Sequence, residues 1–145
     1  MRVFAALALV LFVAACTQPP AIPYASDARI EASAYREPGP NTFTIFTMVS
    51  NRNGKGAHTP LMINGAQRVI FDPAGSFVND RVPEQEDVLY GVTPAVLKGY
   101  KSAHARSTFH VVSQTFEVSE EQAAIALQLA TTNGAVPRAF CTSAT

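Results

Sequence analysis

The first fifteen residues stand apart from the rest of the chain: one charge at Arg2, an apolar run from Val3 to Val13, then Ala14 and Ala15. A run of about a dozen apolar residues is too short to cross a hydrocarbon core as a helix, which takes roughly 20, so 1–15 is expected to be a cleavable leader. Apolar periodicity then lapses. From Thr17 to Asn41, Pro19, Pro20, Pro23, Pro38 and Pro40 lie among small and polar residues, and 16–41 is expected to be a tether.

From Thr42 the pattern becomes that of folded structure. Phe43, Ile45 and Met48 lie in a β-rich run to Val49, followed by a Gly-rich loop over Asn51 to Gly56. Ala57 to Ile63 and Gln67 to Phe71 are apolar, rich in β-formers and joined across Asn64-Gly65, which predicts a hairpin ended by Pro73 and Gly75. Ser76 to Tyr90 scatters charges between Phe77, Val82 and Val88, and is expected to be a long irregular connection at the rim of a site. Thr93 before Pro94 is a hydroxyl cap followed by a fixed φ. It opens a helix with Val96, Leu97, Tyr100 and Ala103 on one face. Thr108 to Val118 predicts a strand. Ser119-Glu120-Glu121-Gln122 is a capping box opening a second helix, with Ala123, Ala124, Leu127 and Ala130 as its apolar positions, ended by Gly134. Residues 42–145 therefore suit one α+β domain with a single core.

Charge narrows the partners. Arg2 leaves with the leader, so eleven basic residues become ten against eleven acidic ones, with no basic cluster. A phosphate backbone needs such a cluster, so nucleic acid is not an expected partner. His104 falls on a polar helix face and His110 in a strand; neither has a ligand partner at metal spacing, so no metal or cofactor is expected.

The cysteines carry more. Val13-Ala14-Ala15-Cys16 resembles the lipobox of bacterial lipoproteins, which implies a diacylglyceryl group on Cys16 and membrane attachment through that lipid. Two or three acyl chains hold a small domain at a bilayer without a spanning helix, at roughly 0.8 kcal/mol per buried methylene. Thr17 stands where an aspartate would imply inner-membrane retention, which resembles the outer-membrane sorting pattern and implies a periplasm-facing anchor. With Cys16 lipidated, Cys141 has no partner in its own chain, although the compartment permits disulfides. Count alone leaves three roles for it: inert burial, pairing with another chain, or a working nucleophile.

The order of elements, with His58 on the first hairpin, then a helix, a strand, a capped helix and Cys141 soon after Pro137, resembles the circularly permuted branch of the NlpC/P60 papain-like superfamily. The likeness runs from about Thr42 to Thr145. It rests on Gly56-Ala57-His58-Thr59-Pro60-Leu61-Met62-Ile63-Asn64-Gly65, on Phe71-Asp72-Pro73, on the capped helix and on Phe140-Cys141-Thr142-Ser143. It implies a papain-like fold with Cys141 at a helix N-terminus, where thiolate is favoured, and His58 as its general base. Family members continue past the cysteine through a full helix. Four residues follow Cys141 here, so the resemblance implies a domain short at its C-terminus.

The third candidate is Asp72, which would orient the imidazole, although an aspartate before proline is also a routine turn residue. Geometry separates the cases. A two-residue turn at Asn64-Gly65 pairs 58 with 71 and turns Asp72 to the other face; a three-residue loop centred on Gly65 pairs 58 with 72 and puts both side chains on one face. The three-residue loop is the expectation. It yields a thiol hydrolase or acyltransferase acting on peptidoglycan peptides or lipid acyl groups in the envelope; the alternative is a non-catalytic envelope lipoprotein using the fold as a binding or structural module.

Overall fold

The computed structural model describes residues 24–73, 75, 77–136 and 145. The expected leader, Cys16 and Cys141 lie outside the described residues. The described residues form an α+β fold: an open, fully antiparallel seven-stranded sheet and three helices.

Strand β1 (Thr42–Ser50) is the axis of the sheet. One side of it pairs along its whole length with β7 (Phe109–Glu117), from Thr42 opposite Glu117 to Ser50 opposite Phe109. The other side takes β2 (Gly56–His58) and β3 (Leu61–Asn64) end to end, with Met48 opposite His58 and Ile45 opposite Leu61. The sheet continues through β4 (Arg68–Phe71) and β6 (Val88–Leu89) to β5 (Glu84–Gln85).

The predicted strand over 57–63 is thus two strands interrupted at Thr59-Pro60. Pro60 has no N–H to give the ladder, but its carbonyl still accepts from the Phe46 amide at 3.0 Å. The register of β2 and β3 on β1 is consequently unbroken across the gap, because both satisfy the same pairing sequence.

Helix α1 (Asp27–Ala32) and helix α3 (Glu120–Thr132) lie on one face, over Ile63, Val69, Phe71, Val88 and Tyr90. Helix α2 (Pro94–His104) lies on the other, where Tyr100 closes over Phe46, Met48, Met62, Ile70, Leu89 and Val92. The caps form as expected. The Thr93 hydroxyl accepts from the Val96 amide, and Ser119 and Gln122 make both bonds of the capping box. Gly65 does not occupy the left-handed region; its place is fixed by clearance, because a Cβ there would sit 3.2 Å from that of Ala123 in α3.

Two expectations are corrected. Residues 24–41, expected within the tether, are docked on the domain. The Ala25 amide bonds to Glu84, the Arg68 amide donates to the Tyr35 carbonyl, and Asn64 exchanges side-chain bonds with the Glu37 backbone. Buried Arg68 also meets Glu37 at 2.7 Å. The stretch also contains helix α1, and the prolines at 38 and 40, beyond its end, do not prevent docking through backbone groups and polar side chains. The stretch 76–90, expected to be irregular, contains the β5–β6 hairpin. Its two turn residues, Glu86 and Asp87, have φ of 50° and 65°, as a tight primed turn requires, without the glycine or asparagine that usually announces one.

Candidate functional site

Pairing parity decides which side chains meet. His58 lies opposite Met48, Met48 shares a face with Phe46, and Ile70 lies opposite Met62 on that same face. Asp72 follows Ile70 by two residues, so His58 and Asp72 project towards the layer that holds α2. The β3–β4 loop has three residues, 65–67, because Asn64 pairs with Arg68. Its length is as expected, but it is centred on Ala66 rather than Gly65, which displaces the register by two. A displacement of two keeps the face and makes the His58–Asp72 approach diagonal instead of directly opposite.

The contact is short. His58 Nε2 lies 2.5 Å from Asp72 Oδ1, with the carboxylate side chain 2% exposed and the imidazole 15%. Asp72 sits just beyond β4, and its loop is secured through the backbone: its amide donates to the Asp87 carbonyl at 2.7 Å, and its carbonyl accepts from Gly75 at 2.9 Å. With Nε2–H donated to the carboxylate, the neutral imidazole carries its lone pair on Nδ1.

Sequence reasoning missed two members of this cluster. The Tyr100 hydroxyl donates to Asp72 Oδ1 at 3.1 Å from the buried face of α2. Burial, the negative charge of Asp72 and this hydrogen bond, in that order, push the phenol far above the ordinary tyrosine range. One turn later, His104 Nδ1 donates to the Tyr100 carbonyl at 2.9 Å, and its ring stacks on His58 with centroids 5.9 Å apart and 24° between planes. Phe77 closes on Tyr100 edge-on at 5.2 Å.

The expectation that His104 has no ligand partner is therefore corrected: ligand atoms of His58, Asp72 and His104 all lie within 4.8 Å of one another. Spacing along the chain hid this, because three different elements supply the groups. The i, i+4 relation of Tyr100 and His104 was the available signal, since it puts both on one side of α2. His110 goes elsewhere, to Asn51 Oδ1 at 2.5 Å. Among the described residues no helix is long and apolar enough to cross a membrane.

No family model matches this chain, and neither a curated protein nor a solved structure matches it.

Proposed function

We propose that this chain is a lipid-anchored envelope lipoprotein, held through Cys16 at the periplasmic side of the outer membrane, whose folded part is a papain-like thiol hydrolase or acyltransferase. The observation that carries the reading is the His58–Asp72 pair, a largely buried imidazole oriented by a buried carboxylate. A second observation is compatible with Cys141 as its nucleophile. Thr145 donates its hydroxyl to the Thr59 carbonyl at 2.7 Å, next to His58, and the four peptide steps from Cys141 to Thr145 span at most about 14 Å when extended.

The chemistry is acyl transfer. His58 Nδ1 takes the Cys141 proton; the thiolate sulfur attacks the substrate carbonyl carbon, forming a carbon–sulfur bond. The imidazolium then protonates the leaving amine or alcohol as its bond to carbon breaks, leaving an acyl-enzyme. Water attacks that thioester with His58 again accepting a proton, and the acid leaves as the thiol is restored. Peptidoglycan peptides and lipid acyl groups are the substrate classes consistent with an envelope anchor.

The test is the pH dependence of iodoacetamide alkylation in the full chain carrying Cys16→Ala, so that Cys141 is the thiol followed. A catalytic Cys141 alkylates with an apparent pKa well below the free value of about 8.5, and His58→Ala raises it. An ordinary thiol pKa that ignores His58→Ala would overturn the proposal and leave a non-catalytic lipoprotein serving as a binding or structural module.

A further inference from the structure

The geometry points to a binding site for a divalent transition ion of zinc's class at His58, Asp72 and His104. Two imidazoles and one carboxylate are a donor set suited to zinc, with a fourth position left to water. Their ligand atoms lie within 4.8 Å of one another, the spread that ligands around one ion can close with small side-chain movements.

Three features beyond proximity favour a ligand role. His104 donates Nδ1–H to the Tyr100 carbonyl, which fixes its tautomer with the lone pair on Nε2; this backbone-anchored arrangement is the one metal-ligating histidines adopt. The Tyr100 hydroxyl donates to Asp72, so one residue of α2 orients two of the three ligands. Among the described residues Asp72 Oδ2 is buried without a hydrogen-bond partner, an uncompensated acceptor beside two imidazoles, and a cation would satisfy it.

The ion would take the place of the proton that His58 Nε2 donates to Asp72. Their 2.5 Å contact would open to roughly 3.3 Å, the separation of two ligands in a tetrahedral zinc shell, and the proton leaving Nε2 would pass to Nδ1, so that the imidazole stays neutral. The site uses no thiol, so it stands or falls apart from the role proposed for Cys141; where that role holds, a bound ion on Nε2 leaves Nδ1 protonated, so His58 can no longer take the Cys141 proton, and the ion acts as a reversible inhibitor.

The experiment is calorimetric titration of zinc chloride into the full chain carrying Cys16→Ala and Cys141→Ala, which removes sulfur ligands. One ion per chain is expected, with affinity falling more than tenfold in His104→Ala and in His104→Gln and unchanged in His110→Ala. Cobalt(II) should give the visible bands of a four-coordinate nitrogen and oxygen site without a sulfur charge-transfer band, a readout that does not depend on either variant folding. Absence of stoichiometric binding, or equal affinity in the His104 variants, would overturn the inference. Since these chains contain no cysteine, a failed alkylation test and a failed titration report on different claims.

Discussion

Replacing Tyr100 with phenylalanine probes the network beneath the candidate site. The ring is fully buried and its packing against Phe46 and Phe77 survives the change; what is lost is the hydroxyl given to Asp72 Oδ1 at 3.1 Å. A hydrogen bond to a charged acceptor contributes about 1.5–3 kcal/mol, and Asp72 already has one oxygen without a partner, so Tyr100→Phe should cost about 2 kcal/mol at pH 7. The cost should shrink in alkali. The folded-state pKa of Tyr100 is raised, so its contribution is fully present below the unfolded value near 10 and is lost as pH climbs above it, because only the unfolded phenol ionises there. At pH 11 that ionisation favours unfolding of the parent by about 1.4 kcal/mol, and the phenylalanine variant escapes it. Tyr24, Tyr35 and Tyr90 are also shifted upwards, but they are common to both chains and cancel in the difference. Urea unfolding of both proteins at pH 7, 10 and 11 measures this directly. A stability gap that stays constant from pH 7 to 11 would refute the buried, Asp72-bonded phenol.

Two further perturbations test the scaffold. Glu86 is exposed and held at φ 50°, a conformation costing roughly 1–2 kcal/mol for an L-residue, so Glu86→Gly should stabilise the domain by about 0.5–1 kcal/mol after glycine's own entropy is counted; thermal unfolding checks the sign. Ser119→Ala removes the acceptor for the Gln122 amide at the start of α3 and should cost about 1 kcal/mol in the same assay.

What was legible in the sequence was whatever a local rule controls. Thr93-Pro94 and Ser119 to Gln122 state their helix starts through side-chain chemistry that needs no partner from elsewhere, and both helices begin there. The shared face of His58 and Asp72 was legible for a different reason: parity survives a register displacement of two, so the expected loop centre could be wrong and the face still right. The break at Thr59-Pro60 was not legible, because Pro60 keeps its place on β1 through its carbonyl alone. Nor was the β5–β6 turn, whose left-handed residues are a glutamate and an aspartate held there by the surrounding fold. The packing of α2 across the sheet decides that His104 reaches His58; spacing along the chain puts His104 on the side of Tyr100 but does not say what that side meets.

Asp87 does two jobs at once. Its backbone carbonyl receives the Asp72 amide, and its carboxylate oxygen Oδ2 receives the Val136 amide at 2.7 Å. The loop bearing the orienting carboxylate and the segment leaving α3 are thereby pinned to one point, itself wedged in a left-handed turn. Mechanically this is a common fulcrum: a tug on the chain beyond α3 is transmitted to the imidazole's support through two hydrogen bonds and one peptide unit, so neither part can wander without dragging the other.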